Sequence, residues 1–294
     1  MDTPELLKMD WFLYALTATV IYGFFEFTYK LTAQGGYSSI QIVNKAAITV
    51  TVLSGIMILV SQSPFLPLPM ILLFGFLNAS CFASGTIAQI SALKYMPTSH
   101  VFPVAKLSSI ICIFLGFAFL GDRPNLFQWL GISLALCVIL LVGYDMKAKA
   151  DPALVKDKSR GLRLAIGAAF GVALSMFVGK LASMQVPALN YIFASYGFSA
   201  FFTWLIARKF ASNAKPLDAK GIGYGIFIGA MNFSGYYLLL QAFRLGSLAL
   251  VQGIFSTTMV ITIPLSIFFL KEEFSLIKGL CVALALGALI LIRL

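Results

Sequence analysis

The chain has 294 residues, 60% of them hydrophobic and 11% charged, with a mean hydropathy of +0.94. A water-soluble fold of that length has too little interior to hide so much apolar surface, which excludes an ordinary soluble enzyme or binding module. The net charge of +10 does not point to nucleic acid, because the cations fall in loops between apolar runs instead of clustering with surface aromatics.

A bilayer-crossing helix needs about 20 mainly apolar residues. Apolar runs bounded by turn residues predict ten spans: 11–33, 38–60, 68–93, 98–120, 126–144, 161–183, 189–207, 221–243, 247–270 and 276–292. Turn signals separate them, among them Gln34-Gly35-Gly36, Met96-Pro97, Gly121-Asp122-Arg123-Pro124, Val186-Pro187 and Lys271-Glu272-Glu273. The one long polar stretch, 145–160, reads as a linker between units 1–144 and 161–294. The opening MDTPELLKMD is too acidic for a signal peptide, so the first run is expected to be a retained helix. Trp11, Trp129 and Trp204 fall near span ends, where amphipathic rings favour the headgroup region. Glycines spaced at Gly167/Gly171 and Gly221/Gly225/Gly229 allow close helix approach. Cys81, Cys112, Cys137 and Cys281 are scattered singly through apolar runs, so neither a metal site nor a redox motif is indicated, and no cofactor is expected.

Lys8, Arg123, Arg244 and Arg293 lie on the face that carries both ends of the chain. Thirteen further cations lie on the linker face, and Lys30, Lys45, Lys106 and Lys180 fall within spans. By the positive-inside rule alone the linker is cytosolic and both termini are outside.

Sliding the chain by 150 residues brings its halves into register. SALKYMPTSHVFPVAKLSS (91–109) lies over QAFRLGSLALVQGIFSTTM (241–259), GFAFLGDRP (116–124) over SIFFLKEEF (266–274), and WLGISLALCVILL (129–141) over GLCVALALGALIL (279–291). Lys30 falls on Lys180, and a small offset pairs Asn78 with Asn232. Five spans per repeat is odd, so the second repeat inserts upside down. Inverted repeats are a hallmark of secondary transporters, because two similar halves in opposite orientations can exchange conformations about a central site. The fold expected is therefore all-α and integral to the membrane: ten transmembrane helices as two inverted five-helix repeats around a central cavity.

Two five-helix halves, each with a lysine near the end of its first helix and an acidic turn (GDRP, KEEF) after its fourth, resemble the drug/metabolite transporter superfamily, in its EamA-type ten-helix branch. The resemblance covers essentially the whole chain. It implies alternating access, a small-molecule substrate, most often export, and a multi-pass protein of a prokaryotic plasma membrane. Such carriers are usually drawn with cytosolic termini, opposite to the charge count, so sidedness stays open, as does a monomeric or homodimeric state.

An ionisable group at bilayer depth costs at least roughly 2.5–3.5 kcal/mol and needs an explanation. Glu26 is the only acid well inside a span, with Lys30 at i,i+4, where the two can form a structural ion pair. The other reading makes Glu26 a proton or substrate site, since burial penalises the charged carboxylate. Tyr22 shares its helix face. The four-helix small multidrug exporters of the superfamily carry a membrane glutamate eight residues before the lysine, which is Tyr22 here, so their cation antiport does not transfer. Lys106, near mid-span and three residues after Pro103, is too deep to snorkel and suits an anionic or zwitterionic ligand. Its repeat mate is Ser256, beside Gln252; Pro103 and Pro264 are expected to kink the fourth and ninth helices. Asn78 and Phe82 share a stripe on the third helix, and Asn232 and Tyr236 start the matching stripe on the eighth; they either line the cavity or join helices. Lys30 and Lys180 are expected to be gating or structural, and His100 a surface residue.

The expected function is secondary active transport of a small polar, amino-acid-like metabolite, with proton coupling at Glu26 an open option. One rival is an exporter of hydrophobic or cationic drugs, in keeping with 27 phenylalanines. Another is a membrane-embedded lipid-modifying enzyme, against which stands the lack of HExxH, a metal-spaced acid cluster or a Ser/His/Asp set within the spans.

Overall fold

The computed structural model describes residues 10–64, 67–96, 98–148, 157–210, 217–271 and 275–294. Among them there is no strand, and twelve α-helices follow in order. They are α1 (Trp11–Gln34), α2 (Ser39–Ser61), α3 (Leu68–Ala92), α4 (Thr98–Ala105), α5 (Ser108–Leu120), α6 (Leu126–Ala148), α7 (Lys158–Gln185), α8 (Ala188–Phe210), α9 (Ala219–Leu245), α10 (Leu248–Phe255), α11 (Met259–Leu270) and α12 (Leu276–Arg293). Among the described residues nine helical segments are long and apolar enough to cross a membrane, with α10–α11 counted as one; the fourth span is the exception, because it is cut into α4 and the 13-residue α5. The helices bounding the linker also reach further than expected, to Ala148 and from Lys158, where the Asp157 side chain accepts from the Arg160 amide.

The packing is that of two inverted repeats. α1 lies on α9 as α7 lies on α3, α2 on α9 as α8 on α3, and α2–α8 and α6–α12 pair across the pseudo-two-fold. Small residues set the crossings: a Cβ on Gly171 of α7 would sit 2.6 Å from the Gly85 Cα of α3, so these backbones touch. The repeat extends to backbone conformation. Gly121 ends α5 at φ 68°, and its mate Lys271, 150 residues on, ends α11 at φ 51°. Glycine takes that left-handed turn freely, whereas lysine takes it with some strain.

The fourth and ninth spans are both broken, though not at their prolines. The first break is the Lys106-Leu107 turn, closed by Leu107 N donating to Val104 O at 3.1 Å and Ser109 N to Lys106 O at 3.2 Å. The second is a 3-10 turn at Ser256–Thr258. The two sites are 150 residues apart, as the repeat requires. Pro264 sits inside α11, six residues after its break ends. Pro103 lies within α4, with its side chain outside the described residues.

Candidate functional site

The two breaks meet α1 at Glu26. Lys106 Nζ donates to Glu26 Oε1 at 2.6 Å, while the Thr258 hydroxyl donates to Oε2 at 3.2 Å and Thr262 Oγ1 lies 3.5 Å from the same oxygen. One carboxylate thus joins α1, the α4–α5 turn and the start of α11. The expected Glu26–Lys30 pair is not formed; Lys30 Nζ instead donates to Ser266 Oγ on α11 at 3.0 Å. The reason is depth. Lys30 is a turn nearer the linker face and can reach its polar boundary, whereas Lys106 at mid-bilayer has no such route and takes the acid. The pair is not sealed: 40% of the Lys106 side chain and 27% of Glu26 are accessible. At bilayer depth that exposure needs a polar cleft beside the pair.

One turn toward the terminus face, the Tyr22 hydroxyl donates to Asn232 Oδ1 at 2.7 Å, and that of Tyr196 on α8 reaches the same atom at 3.1 Å. The Tyr236 and Tyr191 hydroxyls are 3.2 Å apart. Phe25 and Phe255 meet the Tyr22 ring edge-on at 5.1 and 4.8 Å. Tyr22, Asn232 and Tyr236 therefore form one tyrosine–amide layer next to Glu26.

Other expected site residues lie outside this layer, although Asn78 borders it at Tyr236. Asn78 is buried between helices: its amide donates to Ser175 O at 2.8 Å and Oγ at 3.0 Å, and its Oδ1 accepts from Ser195 at 2.6 Å. Those bonds join α3 to α7 and α8. Phe82, on the same helix, is half-buried and makes no ring contact among the described residues. Gln252 donates to Ser109 Oγ at 3.2 Å, tying α10 to α5, and its Oε1 is buried without a partner. The Ser256 hydroxyl is turned back onto Gly253 O at 2.7 Å. Lys180 donates to the Phe243 and Gly246 carbonyls at the end of α9. His100 is half-buried, with its Nδ1 buried and without a partner among the described residues. Sequence reasoning missed Thr258, Thr262 and Tyr196; for Thr258 the signal was the hydroxyl run Ser256-Thr257-Thr258, and Thr262 lies one helical turn further on.

The packing around the pair differs toward the two faces. On the terminus face α5 packs against α10, and α10 also rests on α6 and α12, where Gly253 leaves room for Ile292 and Ile132. Asp122, in the turn after α5, accepts from Ala249 N at 2.8 Å, and Ser247 Oγ accepts from Leu250 N at 3.2 Å, so both cap α10. A carboxylate there also faces the positive end of the helix dipole. Toward the linker face no comparable packing joins α4 to α11 among the described residues. No group of three or more His, Cys, Asp or Glu among those residues could hold a metal ion.

Comparison with known proteins agrees with this architecture. The model of the EamA-like transporter family matches residues 9–144 and again 159–294. A probable 4-amino-4-deoxy-L-arabinose-phosphoundecaprenol flippase subunit ArnE from Hamiltonella defensa subsp. Acyrthosiphon pisum is 31% identical over 61 residues, 21% of this chain and 55% of that protein. An uncharacterized transporter in the cobO 3'region of Sinorhizobium sp is 36% identical over 69 residues, 23% of this chain and 49% of its own length. The chain spans about half the length of these curated relatives. A protein of known crystal structure superposes with a TM-score of 0.75 at 16% identity, over 97% of this chain and 98% of that one, which speaks for the fold. With both halves matched, the chain belongs to the EamA-like transporter family and is a multi-pass integral membrane protein.

Proposed function

We propose that this EamA-family chain is a secondary active transporter that moves a small zwitterionic solute by alternating access through the Glu26–Lys106 cleft. The observation that carries the reading is the ion pair itself, made where both broken helices meet α1. Removing one member of a partly buried pair leaves the other uncompensated, so neither charge is readily released alone. A zwitterion resolves that difficulty. Its ammonium takes Glu26 while its carboxylate takes Lys106, and one internal pair becomes two pairs with the solute. Protonation of Glu26 would free Lys106 as well, which makes Glu26 the coupling site if protons drive the cycle. The tyrosine–amide layer of Tyr22, Asn232 and Tyr236 then borders the remainder of the solute. Export across a prokaryotic plasma membrane is the direction we assign, from the family resemblance.

The test is a thermal-shift screen of purified full-length protein against amino acids, other zwitterions, lipophilic cations and amphiphilic amino compounds. The last class is included because one relative is named as an amino-sugar lipid flippase subunit. A ligand at 100 times its dissociation constant stabilises the folded state by about 2.7 kcal/mol. Zwitterion hits that vanish in Glu26→Gln and in Lys106→Ala support the proposal; hits confined to lipophilic cations overturn it in favour of drug export.

A further inference from the structure

We infer that the lipid-facing recess between α1, α9 and α11 is a binding site for an anionic phospholipid. The recess has a volume of about 580 Å³, within the range of small-molecule sites. It is lined by Phe24, Phe27, Thr28 and Leu31 of α1, Lys220, Gly223, Tyr224 and Phe227 of α9, and Leu265 and Phe269 of α11. Both longer linings follow i, i+3, i+4, i+7 spacing, so each helix gives one continuous stripe. The stripes run antiparallel, which places Leu31 beside the Lys220 end and Phe24 beside Phe227. Seven residues of helix rise about 10 Å, roughly two-thirds of the way through one leaflet's hydrocarbon. That depth suits the upper part of an acyl chain.

Three observations separate this recess from ordinary lipid-exposed surface. The first is charge: its wall contains one ionisable residue, the exposed Lys220, in the first turn of α9 at the membrane boundary. A phosphate there gains the ammonium. The neighbouring carboxylate of Asp218 is already engaged, accepting from the Tyr37 hydroxyl at 2.9 Å and from Gly221 N at 2.7 Å. The second is Gly223. A Cβ on Gly221, Gly225 or Gly229 would meet Tyr37, Lys45 or Thr49 within 2.9 Å, so close packing explains those glycines. Gly223 faces the recess with nothing within 4 Å, although glycine in a helix interior costs about 1 kcal/mol relative to alanine. No contact among the described residues requires it, and the open space is what a guest chain lying against α9 would fill. The third is the aromatic rim: Tyr224 carries the Lys220 ammonium 6.0 Å from its ring centre, the arrangement favoured at the headgroup level.

The site has a mechanical consequence. α11 supplies Leu265 and Phe269 to the recess and, from its first turn, Thr262 to Glu26. A lipid seated there braces the half-helix that lies at the open end of the cleft.

The experiment compares dioleoyl phosphatidylglycerol with dioleoyl phosphatidylcholine on the full-length protein in detergent, reading lipid retention by native mass spectrometry and thermal stability in parallel. Wild type is expected to retain the anionic lipid about fivefold better, the share of one lysine near the surface. Lys220→Gln should bring that ratio to about one, while Arg208→Gln, which removes a cation stacked on Trp204 outside the recess, should leave it unchanged. Gly223→Leu should abolish retention of both lipids while keeping or raising lipid-free stability. Equal retention of the two lipids by wild type overturns the inference. So does undiminished retention in Gly223→Leu, or an equal effect of Arg208→Gln. None of these readouts depends on what the cleft transports.

Discussion

In the first repeat the broken helix presents an ammonium at Lys106; 150 residues on, the second repeat has Ser256 and Thr257, whose hydroxyls turn back onto their own helix, and presents only that of Thr258 to Glu26. The surroundings differ as much as the side chains. In α5, Ser108, Ser109, Cys112, Ile113 and Gly116 are buried, whereas in its repeat mate α11 the only buried residue is Ser266. Helices related by the repeat thus share a path and a breakpoint but not a packing environment. The inverted fold supplies two equivalent ends, and the present packing shuts one of them. In an alternating-access cycle the same helices exchange these environments.

The sharpest way to break this picture is to separate the charges that hold the breaks together. Lys106→Met alone should abolish flux and lower stability by about 2–3 kcal/mol, less than for a fully buried pair because both side chains are partly exposed. Adding Glu26→Gln should recover most of that stability and none of the flux, measured by thermal unfolding and in proteoliposomes. A smaller effect is expected away from the cleft. Asn78→Ala removes the bonds that tie α3 to Ser175 and Ser195 and should cost about 2 kcal/mol, yet leave KM unchanged; a raised KM would bring α3 into the site. At the shut end, Asp122→Ala removes a cap worth about 1 kcal/mol. Labelling of Ser109→Cys from the terminus face should then rise about fivefold, the same free energy expressed as a population. Gly116→Ala should act in the same direction, since its Cβ would sit 2.5 Å from Asp122 Oδ2. Lys30→Met removes the bond to Ser266 Oγ and should leave flux retained in proteoliposomes.

The spans and their inversion were legible because apolar length and the 150-residue repeat are written directly in residue order. The breaks were not. Pro103 and Pro264 were the visible disruptors, but the chain turns at Lys106-Leu107 and Ser256–Thr258, where no residue is a strong helix breaker and the turn is set by packing against α1. The pairing of Glu26 misled for a related reason. Its i,i+4 partner Lys30 is a local signal, while the true partner lies 80 residues away and is chosen by depth in the bilayer. Asn78 and Asn232 match in sequence yet differ in place: the first sits among serines at a three-helix contact, the second under two tyrosines beside the cleft.

The most direct test of the zwitterion exchange is counterflow in proteoliposomes preloaded with the best-stabilising zwitterion, comparing wild type with the stable Glu26→Gln/Lys106→Met double variant. Saturable accumulation of labelled solute by wild type, and none by the double variant at equal folded protein, is the expected result. Equal accumulation by both would show that the solute crosses without meeting this ion pair, and would contradict the mechanism.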